Sequence, residues 1–165
     1  LVQEAGEEGG EPRFRLLETI RDFAREEALR DPDEAAATAA RHAAAFRALA
    51  ERAEPALWGA EQGRWLDRLE VELPNLRVAH AWLQDARDAP ALLSLAVALG
   101  HFWALRGYFA EGREWMETAL AAAADRPDLG RDRACALYWA ASLAYFQGDD
   151  PAAFSGAIQD RGKQR

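Results

Sequence analysis

Apolar side chains recur three and four positions apart along most of this 165-residue chain, the spacing that lines one face of a helix. Leu16, Ile20, Phe23 and Ala24 form one such stripe and predict a helix over 17–29. Asp31-Pro32-Asp33-Glu34 then restarts the chain. Asp31 is placed to cap, Pro32 suits the first helical position, and Glu34 sits where a capping box wants a carboxylate. The long helix that follows, to about Glu54, collects Ala39, His42, Ala43, Phe46, Leu49, Ala50 and Ala53 on one face, and Pro55 ends it or tightens its last turn. Trp65, Leu66, Leu69 and Leu73 mark another helix, and Pro74 is expected to open the next, with Leu76, Ala79, His80 and Leu83 facing inward. After a turn at 88–90, the stripe Leu92, Leu95, Ala96, Leu99 and Trp103 runs to a break at Gly107. Tyr108, Gly112, Trp115, Met116, Ala119, Leu120 and Ala123 form its antiparallel return. A linker over 125–130 leads to a helix carrying Ala134, Leu137, Ala140, Ala141 and Ala144 and stopped by Gly148, after which Asp150-Pro151 repeats the pairing of cap and first-position proline.

The beginning differs in kind. Leu1-Val2-Gln3 and the alternating Arg13-Phe14-Arg15-Leu16 read as two short strands around a flexible acidic turn over 4–12, a hairpin too small to stand alone in water.

Composition supports the helical reading: 38 alanines stand against two Ile, four Val and three Thr, so strand-favouring residues are scarce and a mostly β fold is excluded. A formal charge of −8, with Lys163 the only lysine, argues against the whole chain being a nucleic-acid clamp. The single Cys135 cannot form an internal disulfide, and no run approaches the roughly 18 consecutive apolar residues of a membrane span. A cytoplasmic chain without membrane partners is expected. With Leu1 first, Met116 the only methionine and no basic-then-apolar leader, the chain reads as part of a longer protein.

Signs of catalysis or of a cofactor are not found. His42, His80 and His101 fall in no metal-ligand spacing, Cys135 has no histidine nearby in sequence to activate it, and Glu70 and Glu72, two apart on a helix, read as solvated surface. Gly6-Glu7-Glu8-Gly9-Gly10 cannot cradle phosphate, because its carboxylates repel it and no lysine follows. No catalytic residue, metal site or cofactor is therefore expected. His42 and His80, on apolar stripes, read as packed histidines. Trp65, Trp82, Trp103, Trp115 and Trp139 read as core, while Trp58, beside Gly59 in a connection, reads as the exposed tryptophan.

Leu99-Gly100-x-x-Trp103, Gly107-x-Phe109-x-x-Gly112 and Ala119 place small residues where paired helices approach closely, and this pattern resembles a tetratricopeptide repeat. Gly112 stands where alanine is usual, and the expected proline is displaced to Pro127. Ala140-Ala141-x-x-Ala144-x-x-x-Gly148-Asp149 resembles a second copy, with Ala144 in place of an aromatic, and its turn glycine lies 41 residues after the first instead of the repeat's roughly 34. On a larger scale Arg13-Phe14-Arg15-Leu16-Leu17-Glu18-Thr19-Ile20-Arg21-Asp22-Phe23-Ala24 resembles the end of the winged helix in bacterial signal-transduction ATPase regulators of the AfsR-like, MalT-like and LuxR types. Arg41-His42-Ala43-Ala44, Ala50-Glu51-Arg52-Ala53-Glu54, Trp65-Leu66-Asp67-Arg68-Leu69-Glu70 and Asn75-Leu76-Arg77 resemble stretches linking that winged helix to the repeats in the same regulators.

The resemblance implies an all-α fold of antiparallel helix pairs stacked as a short tetratricopeptide-like α-solenoid, with a small N-terminal β-hairpin. Residues 1–30 would end the winged helix, 31–87 would be a helical linker region, and 88–165 the repeats, the last incomplete. It implies a non-catalytic sensor and interaction arm that controls an ATPase switch through contacts with other domains of the parent protein and with a protein or small-molecule effector. On that register Ser94, Val97, His101, Ala104 and Leu105 of one helix, and Cys135, Tyr138, Ser142, Tyr145 and Phe146 of another, face the concave side. His101, Leu105, Tyr138, Ser142 and Tyr145 are the candidate partner- or effector-binding residues. The alternatives are a nucleic-acid-contacting winged-helix fragment using Arg13 and Arg15, opposed by Glu4, Glu7, Glu8 and Glu11 on the same hairpin, and a small helical enzyme without a recognisable motif.

Overall fold

A computed structural model describes residues 2–8, 11–16 and 31–148, the first two stretches by their backbone. The helix expected over 17–29 and the Asp150-Pro151 cap lie outside the described residues. The chain divides into two units, Leu1–His42 and Ala43–Arg165.

In the first unit β1 (Val2–Glu8) pairs antiparallel with β2 (Glu11–Leu16), matching Val2 to Leu16 and Glu8 to Glu11, with an irregularity between Glu4 and Glu7. The acidic residues Glu4, Glu7, Glu8 and Glu11, expected in the turn, lie within the strands. Helix α1 (Pro32–Ala56) begins in this unit, and the Asp31 carboxylate accepts the Glu34 N–H at 3.1 Å, capping the first turn. The other half of the capping box does not form. Glu34 Oε1 accepts instead from Arg41 Nη2 at 2.9 Å.

The second unit is helical: the rest of α1, then α2 (Gln62–Asp85), α3 (Ala89–Ala98), α4 (Gly100–Arg106), α5 (Phe109–Ala122), a short 3-10 turn (Pro127–Leu129) and α6 (Gly130–Gln147). Pro55 sits inside the last turn of α1 without ending it. Pro74 likewise opens no new helix, and α2 runs through it as one element. The inward stripe Leu69, Leu73, Leu76, His80 and Leu83 keeps its alternating spacing of four and three across the proline, while Pro74 itself is exposed. The hydrogen bond it cannot donate is therefore lost on the solvent side, and the buried face is uninterrupted. The expected turn at 88–90 is shifted: Arg87 takes a positive φ of 55°, Asp88 caps α3 through Ala91 N–H at 3.1 Å, and Ala89 and Pro90 are already helical.

Helix α3 is the centre of the unit, packing against α2, α5 and α6 and buried on most of its circumference. The stretch Ala89–Arg106 is long and apolar enough to cross a membrane by composition, and here it is mostly interior. It is not one helix. Leu99 N–H bonds back to Ala96 O, three residues away, and Gly100 begins α4. Gly107, at φ 78°, then turns the chain into α5, and Tyr108 N–H closes on Trp103 O at 3.1 Å.

Two glycines seat tryptophans. A Cβ on Gly112 would lie 2.5 Å from the Trp103 ring, and a Cβ on Gly100 would lie 2.4 Å from the Trp139 ring, so the α4–α5 and α4–α6 contacts both require a bare backbone. Trp103 is fully buried, edge-on to Trp115 at 5.1 Å and to Phe102 at 5.0 Å. Trp115 is buried with it, whereas Trp65, Trp82 and Trp139 are partly buried against this core. On α6 the buried residues are Ala136, Ala140, Leu143 and Ala144, while Ala134 and Leu137, expected on the inward stripe, face outward.

Polar contacts fix α2 against α4 and α5. Arg77 donates two hydrogen bonds to the Glu111 carboxylate, at 2.7 and 2.8 Å. Arg106 reaches Asp67, with its Nε 3.4 Å from Glu70, and the Tyr108 hydroxyl donates to Glu70. Glu70 is thus an anchor between helices and not merely solvated surface.

Gly112→Ala is expected to lower stability by about 1–3 kcal/mol in urea unfolding, because the added methyl must displace the buried Trp103 ring. Gly63→Ala, where a Cβ meets nothing within 4 Å, is the matched control and should raise stability by about 0.5 kcal/mol. Equal effects from the two would refute the close-approach argument.

Candidate interaction surface

Helices α4 and α6 carry the sequence candidates into two aromatic groups. In the first, His101 lies between two tryptophans, stacked on Trp58 at 3.8 Å and facing Trp139 at 5.9 Å. Tyr138 meets Trp139 edge-on at 5.4 Å. In the second, Tyr145 touches Phe146 edge-on at 6.0 Å, and Phe146 tilts onto Phe109 of α5 at 5.6 Å. Trp58 is 67% exposed, Tyr138 64% and Tyr145 68%, so large ring faces meet water at each end. Tyr138 and Tyr145, seven residues apart on α6, share one side of that helix.

Of the five candidates, His101 and Tyr138 are therefore brought together through Trp139, and Tyr145 belongs to the neighbouring group. Leu105 is exposed one turn beyond His101 on α4. Ser142 is on the same side of α6 as the tyrosines, but its hydroxyl donates to Tyr138 O at 2.8 Å, so its proton is spent on the helix backbone. Of the other residues expected on a concave side, Ser94 donates to Glu51 and Val97 and Ala104 pack on the core, whereas Phe146 is exposed. Cys135 is a half-buried free thiol. Trp58 and Trp139 are the members that sequence reasoning left out. Trp58 had only its exposure to mark it, and its stacking partner lies far away in sequence, where no helical spacing can reveal the contact.

The histidines have separate environments. His42 sits half-buried on α1. Burial between the tryptophans lowers the His101 pKa from its ordinary value, because the charged ring loses hydration there. His80 is 8% exposed and stacks on Trp115 at 3.9 Å. Loss of hydration pushes its pKa from 6.5 down to about 4, against the attraction of Glu111, which acts to raise it. Among the described residues no three His, Cys, Asp or Glu side chains converge as a metal would require.

The second unit thus offers a close-packed body with exposed aromatic side chains on its last described helix. Comparison with curated proteins finds relatives of part of the chain. It is similar to part of a transcriptional regulator. Proteins named "Putative HTH-type transcriptional regulator" from Mycobacterium bovis and from two strains of Mycobacterium tuberculosis are each 37% identical to it over 111 residues. The alignment covers 67% of this chain and 12% of each relative, so the chain spans about an eighth of the length of the curated relatives it matches. No family model matches the chain, and no solved structure matches it.

The His80 environment gives a pH dependence whose sign is fixed. The unfolded chain takes up its proton near pH 6.5 and the folded chain only near pH 4, so stability falls as pH drops through that window and this contribution is level above it. The full loss is about 3 kcal/mol. His80→Phe, which keeps a ring against Trp115, should remove that part of the slope in unfolding experiments at pH 4.5 to 7. A slope identical to that of the unaltered chain would disprove the buried-neutral reading.

Proposed function

We propose that this chain is a non-catalytic interaction and control segment of a larger HTH-type transcriptional regulator, and that the exposed aromatic side chains of α6, together with Trp58 on the connection between α1 and α2 and Leu105 of α4, receive another domain of that regulator or its effector. The observation that carries the proposal is the match itself: two thirds of the chain aligns at 37% identity with an eighth of a transcriptional regulator. The role therefore belongs to a part of such a protein, working with domains elsewhere in it. The glycine-seated packing of α4 between α5 and α6 supports reading the helices as stacked tetratricopeptide-like pairs. The resemblance to signal-transduction ATPase regulators supports assigning the segment to control of a switch in the cytoplasm. Trp58, Tyr138 and Tyr145 supply the surface, because tyrosine and tryptophan combine large apolar area with a polar tip and dominate binding hot spots.

A second reading is favoured by the relatives' own name. An HTH-type regulator binds its target through some part of its chain, and Arg13 and Arg15 on β2 are suited to phosphate. The charge of −8 and the carboxylates Glu4, Glu7, Glu8 and Glu11 on the same two strands weigh against this fragment being that part.

The double variant Tyr138→Ala/Tyr145→Ala tests the first reading. Both side chains are mostly exposed, so unfolding free energy should change by no more than about 0.5 kcal/mol, while binding of this chain to the remaining domains of its regulator, measured calorimetrically, should fall about tenfold or more. Unchanged binding, or stability and binding lost together, would reject the surface. A low-salt mobility shift with a steep salt dependence would instead favour the DNA reading.

A further inference from the structure

A cleft of about 550 Å³ opens to solvent between α2 and α5 and shares no residue with the aromatic groups described above. Arg77 and Glu111 line it, and their bidentate pair occupies both carboxylate oxygens of Glu111 at 2.7 and 2.8 Å. The only cation lining the cleft is thus already neutralised. Glu114, one turn further along α5, is exposed and makes no ion pair or hydrogen bond among the described residues. Gln84 on α2 and Thr118 on α5 also line the cleft, and their side chains make no hydrogen bond among the described residues. Beneath them lies the His80–Trp115 stack, whose His80 Nε2 is buried without a hydrogen-bond partner.

The cleft therefore combines an uncompensated carboxylate with neutral oxygen acceptors over an aromatic base. An anion would find no free positive charge there, and a metal ion would find no converging set of three ligands. We propose that this cleft binds a small organic cation, with an ammonium or guanidinium group on the Glu114 carboxylate and its remaining N–H donors on the Gln84 and Thr118 side-chain oxygens. His80, kept neutral by burial, adds no opposing positive charge beneath the ligand. The proposal is independent of the surface on α4 and α6, and it gives the segment a place to sense an amine-bearing molecule.

Putrescine and methylguanidine, titrated separately into the 165-residue chain with NMR detection at the Trp115 indole and Gln84 side-chain amide, should produce saturable shifts. A dissociation constant on the order of 1 mM is expected for ligands this small. Glu114→Gln should weaken it about fivefold without changing the unfolding midpoint, and added salt should weaken it in the unaltered chain. Tyr138→Ala/Tyr145→Ala should bind both cations as the unaltered chain does, which separates failure of this site from failure of the aromatic surface. The proposal is overturned if neither cation gives a saturable shift, if Glu114→Gln binds equally well, or if inorganic phosphate moves the same signals more strongly.

Discussion

The seating of indole rings on bare helix backbone is the constraint from which the second unit is built. Trp103 occupies the space a side chain at Gly112 would need, and Trp139 occupies the space at Gly100. Glycine in a helix costs about 1 kcal/mol relative to alanine through lost backbone entropy. Burying a tryptophan removes on the order of 200 Å² from water and returns several times that. The balance favours the glycines, and it also fixes geometry. With Trp103 held on α5, Trp115 meets its edge and His80 stacks on Trp115, which draws α2 onto the same cluster. With Trp139 held on α4, the neighbouring His101 ring is placed between Trp139 and Trp58. The buried cluster and the exposed one are thus consequences of the same two close approaches.

Around this core the charged contacts set register more than stability. Arg106 with Asp67 and Glu70, and Arg77 with Glu111, are partly exposed, and exposed pairs contribute only a fraction of a kcal/mol each. Their geometry is nevertheless selective. Asp67, Glu70 and Arg77 lie on α2, and their partners Arg106, Tyr108 and Glu111 straddle the Gly107 turn, so sliding α2 by one turn would break every one of these contacts together. Such a seam specifies which helix turns face each other while the apolar interior supplies the free energy.

Much of this was legible in the sequence: the Asp31 cap, the turn at Gly107 and the exposure of Trp58 follow from local rules, and the small residues at 100 and 112 from the resemblance to a repeat. Elsewhere local rules pointed the wrong way. Proline and glycine are read as punctuation, but Pro74 falls on the exposed side of a stripe that continues through it, and the real break, at Leu99, carries no breaker before Gly100. Helix α6 defeated the apolar pattern for a different reason. Alanines occur around much of its circumference, so period alone does not say which ones are inside, and Ala136 and Leu143 are buried where Ala134 and Leu137 were expected. Contacts between distant positions, such as Trp58 with His101 and Arg77 with Glu111, were invisible because nothing in one sequence ties them together.

The distribution of side chains on α6 bears most directly on function. Its inner face is mainly alanine, which brings the helix close to its neighbours but buries little area per residue, while its large rings, Tyr138, Tyr145 and Phe146, point outward. A helix built only to cover the core would have the reverse arrangement, because outward aromatic area contributes nothing to folding when water remains on it. Those rings are also held before any partner arrives: Tyr138 against Trp139, and Tyr145 against Phe146, which rests on Phe109. Ordering them in advance lowers the entropy lost on association. Their burial energy is realised only when another surface covers them, which is the property the proposed docking role requires.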